Sequence, residues 1–379
     1  MKRILNLFLF ISAVVVLSAC GGDNGDPEPE PGTEGTTINW NDAANSSSNA
    51  LISSFWSSGD KYFYYDSNGK KDFHYWPQAH ALDVLVDAYI RTGNNTYKNY
   101  FDQWFEGVKA KNRNTWENEY YDDMEWIALA ILRVYKATND NKYKEAALQI
   151  WEYIKIGWNS NAGGGITWKK GMEYSKNACS NGPACILAAR LYQEFGDEAN
   201  KEWALRIYNW EKTTLFNSGN GMVYDNINSE TGETNKSWIF TYNQGTFIGS
   251  AVELYKIMGE KSYLNDAVLA ADYTTSSLVN NSVLKSEGTG DGGLFKGIFI
   301  RYFTDLIQQD RLDTSAKNRY IQFMKFNAET LWNSGTTKPS IFFGPDWRTS
   351  PGSSTGLTEQ LSGCMLIEAA ALLDSKKML

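Results

Sequence analysis

Asp122 and Asp123 stand side by side in Tyr120-Tyr121-Asp122-Asp123-Met124-Glu125-Trp126, at the head of an apolar helical stretch. Two carboxyl groups close together supply what cleavage of a glycosidic bond needs. One protonates the leaving oxygen; the other attacks the sugar or activates water. A purely structural account also exists. An aspartate ahead of a helix caps exposed N–H groups, Glu125 three residues after Asp122 completes a capping-box pattern, and acidic residues suit the positive end of the helix dipole. Capping explains one aspartate. A second beside it, among aromatics, adds like-charge repulsion that capping does not require, so the surroundings must decide.

Those surroundings read as helices. After the pair, Met124, Ile127, Ala128, Ile131 and Tyr135 share one helical face. Six stretches are small-residue-rich and apolar nearly all round: His80–Arg91, Asp123–Ala137, Pro183–Phe195, Thr246–Met258, Ile298–Gln309 and Leu361–Leu373. Most end at a turn signal, such as Thr92-Gly93-Asn94 or Gly196-Asp197, and a more amphipathic helix then begins. The segment Asn45–Trp56 supplies an outer helix ahead of the first inner one. All-round apolar helices are buried and amphipathic ones cover them, so the pattern predicts an all-α fold, an (α/α)6 barrel of six helical hairpins. An open helical-repeat superhelix is the alternative; the uneven spacing of the hairpins counts against it.

Long inserts follow the outer helices and precede the inner ones, and they carry glycines and aromatics: Gly163-Gly164-Gly165-Ile166-Thr167-Trp168, Gly219 to Asp225, and Gly288 to Phe295. Asp122-Asp123 occupies the same topological place. The inserts are therefore expected on one face of the ring, where loops on a rigid scaffold carry function. Tryptophan is frequent (14 of 379), with Trp76, Tyr121, Trp126, Trp168, Tyr242 and Trp347 at inserts or inner-helix starts. Sugars stack their C–H faces on such rings, although aromatics also fill helical cores. Gly288-Thr-Gly-Asp-Gly-Gly293 lacks the Gly-Lys-Ser/Thr ending of a phosphate loop, which leaves Asp291 as a sugar-hydroxyl contact or a turn former.

The N-terminus reads as a processing signal: basic Lys2-Arg3, an apolar run from Leu5 to Leu17, then Leu17-Ser18-Ala19-Cys20. That ending resembles a bacterial lipobox, so residues 1–19 are expected as a signal peptide and Cys20 as the lipidated residue anchoring the protein to a membrane. The Pro/Gly-rich acidic segment to residue 37 reads as a tether, and 38–379 as the folded domain. Such a tether resembles the export signal of surface lipoproteins on an outer membrane. The formal charge of −8 (36 basic, 44 acidic residues), without a basic cluster, argues against nucleic acid. With only His74 and His80, neither a histidine zinc site nor a Ser-His-Asp triad has material, and no metal or cofactor is expected. Cys179, Cys185 and Cys364 sit in apolar context and read as buried free thiols.

Taken in order, Tyr120-Tyr121-Asp122-Asp123-Met124-Glu125-Trp126, Gly163-Gly164-Gly165-Ile166-Thr167-Trp168, Lys176-Asn177-Ala178-Cys179-Ser180-Asn181, Thr241-Tyr242-Asn243-Gln244-Gly245-Thr246 and Gly292-Gly293-Leu294-Phe295-Lys296-Gly297 resemble the successive signatures of glycoside hydrolase family 76. Thr167 departs from them, standing where the family often has an aromatic. The resemblance implies an (α/α)6 barrel and a retaining endo-α-1,6-mannanase acting on α-mannan, as a monomer without cofactor. It assigns the nucleophile to Asp122 and the acid/base to Asp123. Beside that pair, Trp168, Tyr121, Asn181, Tyr242, Gln244 and Asp291 are the candidate substrate contacts. Retaining enzymes hold their carboxyl groups about 5–5.5 Å apart. Neighbours on a helix, diverging by about 100°, can meet that spacing. A transglycosylase of the same family and a non-catalytic glycan-binding lipoprotein are the competing readings.

Overall fold

The computed structural model describes residues 37–379. The signal peptide, Cys20 and nearly all of the tether lie outside them. Residues 38–379 fold as one unit. It contains twelve α-helices: α1 (Trp40–Phe55), α2 (Tyr75–Thr92), α3 (Asn95–Lys111), α4 (Tyr121–Thr138), α5 (Asn141–Lys155), α6 (Gly182–Phe195), α7 (Glu198–Thr214), α8 (Thr241–Met258), α9 (Lys261–Ser277), α10 (Asp291–Ile307), α11 (Thr314–Asn333) and α12 (Leu357–Ser375). Each even-numbered helix packs on the next, and α12 returns to α2. The result is the (α/α)6 ring expected from the pattern, with the odd-numbered helices outside.

Burial follows the helical periods. On α5 the buried residues are Tyr143, Ala146, Ala147, Ile150, Trp151 and Ile154, one stripe facing the ring. On α12 almost every side chain from Leu357 to Leu373 is buried. The turn signals act as read: α2, α4, α6 and α8 end on Gly93, Asn139, Gly196 and Gly259, all left-handed. Asn94, Asp140 and Asp197 then accept a backbone N–H in the first turn of the outer helix that follows.

The inner helices begin earlier than their apolar pattern. Helix α2 starts at Tyr75 rather than His80, α8 at Thr241 rather than Thr246, and α10 at Asp291 rather than Ile298. Their first turns carry polar residues that hold loops. The fourth residue of α2, α8 and α12 is glutamine, and each reaches back into the insert before its helix. The Gln78 amide accepts from Phe63 N–H (2.8 Å) and donates to Phe63 C=O (3.0 Å). Gln244 does the same to Val223 (2.9 and 2.8 Å). Gln360 accepts from Phe343 N–H (3.1 Å) and donates to Ile341 C=O (3.0 Å). A fully buried amide cannot be left unpaired cheaply, so these forks pin the inserts to the ring.

The C-terminal ends of the inner helices carry paired charges. Arg133 of α4 reaches Asp83 (2.7 Å) and Asp87 of α2, and Arg301 of α10 reaches the same two (3.7 and 3.0 Å). Arg190 of α6 joins Glu253 of α8 (2.7 Å) to Asp305 of α10 (3.2 Å), and Arg91 of α2 pairs with Glu368 of α12 (2.9 Å). These pairs tie non-consecutive segments across the ring.

Glu211 of α7 is different: it is fully buried and neither carboxyl oxygen has a partner. Burial pushes its pKa well above the usual carboxylate range. Folded, it keeps its proton; unfolded, it loses it near pH 4.3, so stability falls as pH rises beyond that value, by up to about 1.4 kcal/mol per unit. Glu211→Gln removes the proton linkage. Thermal melts are expected to place the variant above the wild type at pH 8 and level with it at pH 4. A lower melting temperature at pH 8 would contradict the buried neutral acid.

Candidate active site

Helix α4 opens at Tyr121, which puts Asp122 and Asp123 in its first turn with Tyr120 as a cap that makes no side-chain bond. The capping-box account therefore fails. Glu125 is fully buried with both carboxyl oxygens unpartnered instead of reaching back to the cap. Asp122 Oδ1 accepts the Asp123 N–H (3.0 Å). Its Oδ2 accepts from Trp168 Nε1 (3.2 Å) and from the Cys179 thiol (3.3 Å). Both aspartates are half-buried.

The two acids differ in environment. Burial raises the pKa of Asp122, while the Cys179 thiol, the Asp123 N–H and the Trp168 indole hold it back, leaving it at about 7. Burial raises Asp123 further, and the neighbouring charges of Asp122, Asp291 and Glu119 add to it. Three donors favour the anion at Asp122; three like charges favour the neutral acid at Asp123. Asp122 ionises first. A carboxylate beside a carboxylic acid is the division of labour that glycosidases use.

The insert before α6 holds the donors in place. Tyr121 N–H donates to Trp168 C=O (2.9 Å), and the Trp168 ring packs on Tyr120 with centroids 5.1 Å apart. Gly164 and Gly165, both at positive φ, press against Trp158 and Trp210; a side-chain carbon at Gly165 would lie 2.7 Å from the Trp210 ring. Their glycines serve packing, not ligand approach. Lys176 is buried, and its ammonium donates to the carbonyls of Asn159 (3.1 Å), Gly164 and Gly165 (2.9 Å).

Several expected sugar contacts lie beneath the face. Asn181 is fully buried; its amide accepts from Ile166 N–H (2.8 Å) and donates to Ile166 C=O (3.0 Å) and Asn177 C=O (2.8 Å). Gln244 is consumed by Val223 as described. Tyr121 is buried with its ring against Gly157, and Trp347 is fully enclosed under the Lys296 ammonium, 4.4 Å from the ring centre. Trp126 packs on His80 inside the ring. Trp168, Tyr242 and Asp291 do gather around the pair. Tyr242 lies against Cys179 and stacks on Phe295 with centroids 4.0 Å apart. Asp291, at the first turn of α10, accepts from Trp76 Nε1 (2.9 Å) and His74 Nε2 (3.2 Å). These two bonds outweigh burial and hold its carboxyl below the usual range.

Residues 39–379 match the model of glycosyl hydrolase family 76. The chain belongs to that family. The family 76 chain is 46% identical to the GH76A alpha-1,6-mannanase of Salegentibacter sp. HEL1_6, with a TM-score of 0.86 over 88% of this chain and 99% of that one. An inactive variant of that enzyme, with two consecutive aspartates replaced by asparagine, is solved with alpha-1,6-mannotriose. A family 76 mannosidase of Bacteroides thetaiotaomicron, 21% identical, shares the fold at a TM-score of 0.78, covering 90% of this chain and all of that one. A mannan endo-1,6-alpha-mannosidase of Candida glabrata is 26% identical over 303 residues, covering 67% of this chain and 66% of that protein.

In this glycoside hydrolase the starts of α2, α4, α8 and α10 and the insert before α6 supply the site, and sequence patterning missed two members of it. His74 braces Asp291, and Cys179, which reads from the sequence as a buried thiol, touches Asp122. A cavity of about 520 Å³ at the opposite end of the ring is lined by Asp87, Arg91, Arg133, Arg190, Arg301 and Glu368. Its charged side chains pair with one another.

Proposed function

We propose that this family 76 chain is a retaining endo-α-1,6-mannanase that hydrolyses an α-1,6-mannan backbone by double displacement. The observation that carries the reading is the unequal pair: Asp122 bonded by three donors, Asp123 by none and crowded by negative charge. Asp122 attacks the anomeric carbon while Asp123 protonates the departing oxygen, giving a mannosyl-enzyme ester. Asp123, now ionised, takes a proton from water, which attacks the same carbon and frees Asp122. The inactive Salegentibacter variant, altered at two consecutive aspartates, supports the same assignment.

Trp168, Tyr242 and Asp291 line the approach and contact sugar in this reading, whereas Asn181, Gln244 and Tyr121 act by holding the scaffold. A hollow of about 280 Å³ beside them, lined by Tyr65, Asp66, Gly290, Thr355 and Glu359, gives a glycan room to extend. The lipobox-like Leu17-Ser18-Ala19-Cys20 and the acidic segment after it support a lipid-anchored enzyme on an outer-membrane surface.

Digestion of unbranched α-1,6-mannan tests the activity. Oligosaccharides of mixed length that first appear as the α-anomer are expected. Products of inverted configuration would overturn the double displacement. Binding without release would move the chain to the glycan-binding class, and products longer than the substrate would mark a transglycosylase.

A further inference from the structure

We propose that Cys179 is a positioning residue for the nucleophile, its thiol holding Asp122 in the attacking orientation without binding sugar itself. The inference rests on Asp122 being the nucleophile. Cys179 belongs to a short turn, Ala178–Ser180, just before α6, and is almost wholly enclosed. Its sulfur lies 3.3 Å from Asp122 Oδ2, the oxygen that also receives the Trp168 indole. The Tyr242 hydroxyl is a second hydrogen-bonding neighbour of the sulfur. The turn itself is fixed: Asn181 Nδ2 holds Asn177 C=O, and Ala178 N–H donates to Asp225 C=O (2.8 Å). The thiol therefore has little freedom to point elsewhere.

The choice of a thiol has a chemical consequence. Every donor on a carboxylate favours its ionised form and also tempers its attack, because the bonds weaken as charge leaves the oxygen. S–H is a weak donor compared with O–H. At this position it keeps Oδ2 oriented while withdrawing less electron density than a hydroxyl. Burial and the neighbouring Asp122 charge push the thiol pKa well above its ordinary value, so it stays protonated and remains a donor.

The effect is read on the acidic limb of kcat/KM, which reports ionisation of Asp122 in the free enzyme. Cys179→Ala, lacking a donor, is expected to move that limb to higher pH by about half to one unit. Its kcat should fall several-fold with little change in KM. Cys179→Ser, with a stronger donor, is expected to move the limb below the wild-type position at near-normal folding. The order Ala, Cys, Ser from high to low pH supports the role. An acidic limb unmoved in Cys179→Ser and in soluble, folded Cys179→Ala overturns it, even if activity drops. Asp122→Asn is run alongside: substantial activity there would instead overturn the nucleophile assignment.

Discussion

On a mannoside with a good leaving group, Asp123→Ala is expected to form the glycosyl-enzyme at near-normal speed and then stall. Asp122→Ala should turn over neither that substrate nor mannan. The asymmetry follows from the two environments. Asp123 is kept protonated by burial and by the charges of Asp122, Asp291 and Glu119, so its first task is to give a proton to the departing oxygen. A leaving group that departs without a proton dispenses with that task. The second task, activating water, survives in no form, and the ester on Asp122 accumulates. On mannan, both steps need Asp123, and its loss should cost about 10²–10⁴-fold. Asp122 supplies the bond itself, which nothing replaces. Intact-mass spectrometry of stopped reactions distinguishes the two: an adduct in Asp123→Ala and none in Asp122→Ala. Full turnover of mannan by either folded variant would end the assignment.

The second large effect concerns stability rather than chemistry. Arg301→Met leaves Asp83 and Asp87 in the ring interior with Arg133 as their single remaining cation in that group. Breaking a buried pair strands a charge and costs about 3–5 kcal/mol. The stranded carboxylate would take up a proton more readily folded than unfolded, so the deficit should shrink as pH falls. Urea unfolding at pH 8 and pH 5 measures both claims. A deficit under about 1 kcal/mol at pH 8 would mean that the network orders the ring without holding it together.

How much of this was legible depended on where the partner of each residue sits. The hairpins were readable because their turns are written locally: Gly93, Asn139, Gly196 and Gly259 take a left-handed backbone that few other residues accept. Asp122 and Asp123 were readable because two adjacent carboxylates are unusual wherever they occur. Asn181 and Gln244 were misread as sugar contacts because a primary amide offers the same donor and acceptor to a hydroxyl or to a peptide group. Their partners, Ile166 and Val223, lie 15 and 21 residues away, beyond any local pattern. Cys179 looked like core filling for the same reason. Only its distance from Asp122, 57 residues earlier, gives it chemical meaning. The inner-helix starts were placed late because their first turns bind loops and carry polar side chains where periodicity looks for apolar ones.

The contact of α12 with α1 and α2 closes a circle that the peptide chain leaves open at one point. Asn41, Asn45, Arg91 and Glu368 meet there. That seam is one of six joints between neighbouring inner helices. A covalent link from residue 379 to residue 38, with new ends opened at the exposed turn Gly259-Glu260, away from the catalytic face, would move the seam without altering any inner helix. The catalytic face, assembled from helix starts spread around the circle, has no stake in where the circle is cut.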